Sequence, residues 1–326
     1  MTKKILLLAL ATTLIFFVGV YFWWQDSLKP VSQIKQEKIF VIAKRESIDS
    51  IAVRLKNEGL IHSQLAFKFY IYQAGLKDKI QSGSFKLSPN MDLKTLVTSL
   101  THGTADVRIT FPEGMRREEI AAKLVDNLPI FDSKEFLNLT TKDEGKLFPD
   151  TYLIPQEITS EKIRQIFLSN YDKKFTSELK SVATNEGLNE VKVLILASIV
   201  EREAKNETDR AIVAGILLKR LNEGMPLQVD ATIQYLTADK KCQGQSNCNW
   251  WQSVNHEDLK VVSLFNTYLN QGLPPSPICN PSLSSIKAVI YPTKTDYLFY
   301  LTDNLGQMHY AKTGGEHNQN VEKYLN

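Results

Sequence analysis

Cysteine is scarce in this chain. Three residues, Cys242, Cys248 and Cys279, among 326 exclude a small scaffold held together by disulfides. Histidine is almost as rare, with five residues, and none falls in a paired CxxC or HxxxH spacing, so no metal site is indicated. The chain also lacks an excess of either charge. Lys and Arg number 39 against 36 Asp and Glu, a formal net charge of +3, which offers no basic field for a nucleic acid. One basic pair, Arg116 and Arg117, is followed at once by Glu118 and Glu119, and reads as a solvated helix face with internal ion pairing. Cys242 and Cys248 flank a polar loop (CQGQSNC). They can close it in an oxidising compartment and leave Cys279 free, or all three can remain thiols.

What is present begins with an apolar run over residues 5–24, diluted only by Thr12, Thr13 and Gly19. Its length predicts a single membrane-spanning helix. Lys3 and Lys4 precede it, and Tyr21, Trp23 and Trp24 stand where an interfacial aromatic belt lies. The expected topology is therefore single-pass in the cytoplasmic (inner) membrane, with a short N-terminus in the cytoplasm and the large remainder outside. A cleaved signal peptide fits less well, because the run is long and Gln25, Asp26 and Ser27 follow it without a small-x-small site.

Roughly 300 residues follow, enough for two or so domains. Residues 39–43 read as a strand, and Ser47 opens a helix carrying Ile51, Ala52 and Leu55, with Gly59 as its stop. A helix over 67–74, a strand over 83–86 and a helix over 93–100 come next. A strand over 107–111 and a helix over 113–124 repeat the first unit, with the same apolar spacing at Ile120, Ala121 and Leu124. Two helix patterns between 131 and 171 surround an irregular stretch, DEGKLFPDTY, where Pro149 rules out a long helix. Helices over 189–205 and 207–222 follow, the second ending at Gly224. The segment GLPPSPICNP over 272–281 is too rich in proline for helix or central strand. It reads either as a fixed loop bearing a subsite or as a packed connector. A strand over 297–301 pairs with 309–311 across a turn.

The chemical signal lies at Glu201, which closes the apolar run VLILASIV. A carboxylate there, partly desolvated, can hold a proton near neutral pH and donate it. The alternative is a helix whose apolar face simply ends, with Glu201 paired to Lys205 one turn on.

The chain resembles the endolytic murein transglycosylases of the YceG-like type. The resemblance is carried in order by PEGMRREEIAAKL from Pro112, EGKLFPDTY from Glu144, ILASIVEREA from Ile195, LQVDATIQY from Leu227, NTYLNQGLPPSPICNP from Asn266 and AKTGGEHNQNVEKY from Ala311. It implies an α+β chain with a single N-terminal transmembrane helix, a small LysM-like α/β module and a mainly helical catalytic region with a short β element. The implied boundaries are 1–26 for cytoplasmic tip and anchor, 27–36 for a linker, 37–110 for the LysM-like module and 111–326 for the catalytic region.

By motif, the resemblance implies that Glu201 is the catalytic acid, with Glu203 in a structural or electrostatic role. A lytic enzyme of this kind uses the C6 hydroxyl of N-acetylmuramic acid against its own C1, so one acid suffices where hydrolases generally need two carboxyl groups. Gln228, Asp230, Asn266, Thr267 and Tyr268 are candidates for binding the glycan, and Asp150 and Tyr152 for shaping the same groove. Each can equally cap a helix or satisfy a buried backbone group. Glu316 and His317 rank first as structural support. The resemblance implies peptidoglycan glycan strands as substrate, cell-wall synthases as partners, anchoring in the cytoplasmic membrane, and no cofactor. Ala231, Ser276, Ser282, Val262 and Leu264 depart from the family's usual residues. A noncatalytic peptidoglycan-binding scaffold and a muramidase-type hydrolase using Asp150 or Asp230 as second carboxylate are the alternatives.

Overall fold

A computed structural model describes every residue except 1, 44, 102–105, 129, 157, 243–247 and 326, and the side chains of 2–9 and 239 also lie outside it. The chain divides into two compact units, Met1–Arg108 with Leu153–Glu157, and Ile109–Tyr152 with Ile158–Asn326.

The first unit starts with helix α1 (Thr2–Leu28). Strand β1 (Lys38–Ile42), helices α2 (Ile48–Asn57) and α3 (Gln64–Gln73), strand β2 (Gly83–Leu87) and helix α4 (Leu93–Thr101) follow. β1 and β2 pair antiparallel, with Phe40 opposite Phe85. Ser47 caps α2 as expected, its side chain accepting from the Ser50 N–H. Ile51, Ala52 and Leu55 from α2, Phe67 and Ile71 from α3, and Leu96 and Leu100 from α4 share one core with Phe40 and Phe85 of this strand pair.

The expected membrane span is corrected. Among the described residues no helix is long and apolar enough to cross a membrane. The side chains of α1 are described from Leu10 onward, and the apolar part ends at Trp24, before Gln25, Asp26 and Ser27. The first residues of the expected span lie outside the described side chains. The single-pass topology, the anchoring in the cytoplasmic membrane and the inner-membrane localisation all rested on this span and are withdrawn with it.

Strand β3 (Val107–Thr110) ends and strand β4 (Thr151–Ile154) begins in the second unit, which also holds α5 (Arg117–Asn127), α6 (Ser133–Leu139), α7 (Ser160–Lys174) and α8 (Ser177–Asn185). Then come α9 (Glu190–Glu203), α10 (Glu207–Asn222), α11 (Asp230–Lys241), α12 (Leu283–Ile290), the hairpin β5 (Phe299–Thr302) and β6 (Met308–Ala311), and α13 (Gly314–Tyr324). The fold is mostly helical with small β elements. α9 is its centre: every residue from Val193 to Val200 is buried, as expected of a helix apolar all round. Asn189 and Asn206 cap α9 and α10.

Two local expectations change. The helix expected from 113 begins at Arg117, because Gly114 turns the chain with φ +77°. Arg116 is not on a solvated face. It is 1% exposed, bonded to Glu118 at 3.1 Å, and lies over the rings of Tyr235 and Trp250. The planar, weakly hydrated guanidinium makes such burial possible. Cys242 and Cys248 form a disulfide, and Cys279 is buried without one; the residues between the bonded pair lie outside the described set.

The proline-rich segment is a packed connector tied to α9. The Ile278 N–H donates to the Ser198 hydroxyl at 3.0 Å. Asn280 accepts from the Gly145 and Leu147 amides and donates to the Met115 carbonyl and the Glu144 carboxylate. Gly145 has φ +88°, and a Cβ there would lie 2.7 Å from Pro277, so only glycine fits both the backbone and the space.

Candidate active site

The last turn of α9 presents two carboxylates in different directions, since residues two apart on a helix do not share a face. Glu201 turns toward α10 and α12. One oxygen accepts from Arg210 at 2.7 Å, and the other accepts from the Ser282 N–H at 2.8 Å and the Ser282 hydroxyl at 2.5 Å. Its side chain is 4% exposed. The apolar run that ends in Glu201 therefore does not surround the carboxylate. Three donors do, and Arg210 takes the place expected for Lys205. Ser282 is the N-cap of α12, so Glu201 ties the ends of α9, α10 and α12 together.

Arg210 and Ser282 also line a groove of about 430 Å³ with Phe111, Glu113, Asp150 and Lys174. Asp150 accepts from Asn170 at 3.0 Å and pairs with Lys174 at 3.4 Å. Burial alone would raise its carboxyl, but Asn170, the Thr151 N–H and Lys174 outweigh it and hold the group below the usual carboxylate range. Tyr152 is buried beneath this region, donating to the Phe148 carbonyl at 2.6 Å. It supports the wall.

Glu203 faces the other way, into a cavity of about 450 Å³ lined also by Arg220, Gln228, Asp230, Tyr268, Tyr300 and His317. Burial and the nearby Asp230 charge push its carboxyl up to about 7. The Tyr300 hydroxyl and the Ala231 backbone oppose this by favouring the charged form. A carboxyl that keeps its proton near neutral pH inside a cavity is the pattern by which a proton donor is recognised. Asp230 accepts from the Tyr268 hydroxyl at 2.6 Å. Gln228 adopts φ +52°, uncommon for a residue with a side chain, and its N–H donates to the Thr267 carbonyl at 3.0 Å.

The structure thus brings Gln228, Asp230 and Tyr268 to Glu203, not to Glu201. Asn266 and Thr267 do not line the cavity. Asn266 is buried and donates to the Leu259 and Val261 carbonyls, while the Thr267 hydroxyl bonds to the Val229 N–H and to Thr232. Both hold the loop that carries Tyr268. Sequence reasoning passed over Arg220 and Tyr300 and ranked His317 as structural support; the three arrive from α10, β5 and α13. The available signal was the acid–x–acid spacing itself, which offers two directions from one helix turn. Among the described residues no cluster suited to a metal ion occurs.

Comparison with known proteins agrees with the motifs. The YceG-like family matches residues 40–323, and the chain belongs to that family. An endolytic murein transglycosylase of Bacillus subtilis is 31% identical over 340 residues, covering 94% of this chain and 90% of the relative. One from Streptococcus pneumoniae is 29% identical over 358 residues and covers 94% of this chain, though only 63% of the relative. A 2.6 Å crystal structure of a yceG-like protein from Listeria monocytogenes is similar with a TM-score of 0.57 at 28% identity, covering 88% of this chain and 99% of that one.

Proposed function

We propose that this chain cuts murein glycan strands internally and that Glu203 is the acid that does so. Murein transglycosylase activity follows from the family and from the relatives that carry that description. The choice of bond, product and acid is our reading. The observation that carries it is the environment of Glu203, a carboxyl raised to about 7 in a cavity with Gln228, Asp230 and Tyr268.

In this reading the protonated Glu203 donates to the glycosidic oxygen between N-acetylmuramic acid and N-acetylglucosamine, and the C1–O bond breaks. The carboxylate then accepts the proton of the C6 hydroxyl as that oxygen bonds to C1, leaving a 1,6-anhydro end. Proton count and charge return to their starting state. The Tyr300 hydroxyl and the Ala231 backbone favour the ionised form, so they support the intermediate step, and burial supports the resting acid. Glu201, with both oxygens engaged, holds the helix ends in place. The expectation that Glu201 is the catalytic acid rested on motif position, and its bonding to Arg210 and Ser282 supports the clamping role instead.

Asp230 beside Glu203 favours one second reading, a hydrolase in which Asp230 directs water. Product mass separates the two. The protein is incubated with uncross-linked peptidoglycan strands beside Glu203→Gln and Glu201→Gln. Internal 1,6-anhydro ends from the unmodified protein and from Glu201→Gln, but not from Glu203→Gln, are expected. Reducing ends would indicate hydrolysis. Cleavage retained by Glu203→Gln and lost in a folded Glu201→Gln protein would return the acid to Glu201.

A further inference from the structure

Arg220 is 6% exposed and stands in the wall of the cavity that holds Glu203, Asp230 and Tyr268. A charged side chain is almost never buried so deeply without an opposite charge, yet among the described residues no carboxylate is paired with this one. Asp230 accepts from the Tyr268 hydroxyl at 2.6 Å, and Glu203 accepts from the Tyr300 hydroxyl and the Ala231 N–H. Two backbone carbonyls hold the guanidinium instead. Nε donates to Leu298 at 2.6 Å and Nη1 to Leu227 at 2.7 Å, while the guanidinium lies over the Phe299 ring, 4.9 Å from its centroid. Nη2 donates to nothing within the described residues and is not among the polar atoms sealed from solvent without a partner. Its N–H groups therefore remain open. The charge acts on the hydroxyls of Tyr268 and Tyr300, which line the same cavity. Burial pulls the guanidinium below its ordinary range, but an arginine stays charged at neutral pH.

We propose that Arg220 is a specificity-determining residue that recognises a carboxylate of the murein strand through Nη2. The inference rests on the reading of this cavity as the glycan site. N-acetylglucosamine carries no acid, whereas the lactyl ether of N-acetylmuramic acid ends in a carboxyl group, free on bare strands and taken into an amide where a stem peptide is attached. The peptide then brings carboxylates of its own. A guanidinium already fixed by two carbonyls loses little freedom on binding, and its planar donor edge matches a carboxylate. An acid carried only by alternate sugars also sets the register of the strand, because it decides which sugar presents its C1 to Glu203.

The test uses the Glu203→Gln protein, so that binding is measured without turnover, and two pairs of oligosaccharides of alternating N-acetylglucosamine and N-acetylmuramic acid. The first pair is peptide-free, with the lactyl carboxylates either free or converted to methylamides. The second carries stem peptides, with the peptide carboxylates either free or amidated. Calorimetry should show that neutralising the acid weakens Kd by about 10–100-fold in at least one pair, the loss expected for a hydrogen bond to a charged group. A loss in the first pair places the acid on the sugar, and a loss in the second places it on the peptide. In Arg220→Gln on the same background the charged and neutral strands should bind alike, whereas a merely structural residue would weaken both and keep their ratio. A further readout needs no substitution at Arg220. In Glu203→Gln protein labelled with 15N-arginine, the Arg220 side-chain resonances should move with the charged strand and not with its neutral counterpart. Equal affinity of charged and neutral strands in both pairs, a ratio kept by folded Arg220→Gln protein, or unmoved resonances at saturation overturn the role of Arg220 and leave the cavity reading intact. Absence of binding by the Glu203→Gln protein, or turnover by it, overturns the cavity reading, and this inference with it.

Discussion

Glu201 and Glu203 stand two residues apart on the last turn of α9 and face different surroundings: Arg210 at 2.7 Å and Ser282 at 2.5 Å hold the first, while the second opens on the cavity with Asp230 and Tyr268. In the proposed reading one acid is a clamp and the other a proton donor, a division that the helical repeat makes possible.

Glu203→Gln should lower turnover by about 10²–10⁴-fold, the usual contribution of a general acid–base group. Folding should be intact, which circular dichroism checks. Glu201→Gln keeps an acceptor for Ser282 and loses the charged bond to Arg210. It should destabilise the protein by about 3 kcal/mol, read as a lower urea midpoint, while cleavage products remain detectable.

The pH dependence of activity follows from the state of Glu203. With its carboxyl near 7, the proton needed for the first step is lost as pH rises through that value, so kcat should fall on the alkaline side. A rate that climbs steadily through pH 8 would contradict the assignment.

Stability should follow the same sign. Burial, with the Glu118 charge adding to it, pushes the Glu144 carboxyl up to about 8, and Glu203 lies near 7, both above the ordinary 4.5. The folded chain then keeps protons that the unfolded chain releases. The associated stability is full below about 4.5 and is lost as pH rises through 7 and 8. The urea midpoint of the wild type should fall from about pH 5 to about pH 9, and less steeply in Glu203→Gln. An identical slope in both proteins would show that Glu203 does not contribute.

Gln228→Gly relieves a left-handed backbone at φ +52°, worth about 1 kcal/mol, while removing a side chain from the cavity wall. The expected result is an unchanged or raised melting temperature together with a higher KM. A KM equal to that of the wild type would remove Gln228 from the binding surface.

Gly145→Ala should destabilise strongly, since the added Cβ meets Pro277 at 2.7 Å in a backbone with φ +88°. Asn280→Ala removes the acceptor for two amides and a donor to Glu144, at a cost of about 3 kcal/mol. Chemical denaturation of each variant provides the check.

Much of the local structure was legible in the chain because short-range rules govern it. Ser47, Asn189 and Asn206 cap the helices that follow them. The apolar run 193–200 became the buried central helix, and the β5–β6 hairpin formed across the expected turn. The burial of Arg116 was not legible, since its aromatic partners Tyr235 and Trp250 lie far along the chain. A local charge pattern of Arg116 to Glu119 reads as solvated when those rings are unknown.

What the sequence determined by itself is the family, through six ordered motifs, and the presence of two acids at the end of an apolar helix. Which acid faces which surroundings was decided by tertiary structure alone. Arg210, Ser282, Asp230, Tyr300 and His317 come from separate elements, and their positions depend on how α9, α10, α12, α13 and the hairpin pack. Desolvation and charge act through space over a few ångströms. A proton donor is therefore made by its neighbours in the fold, and its neighbours in the chain could only nominate it.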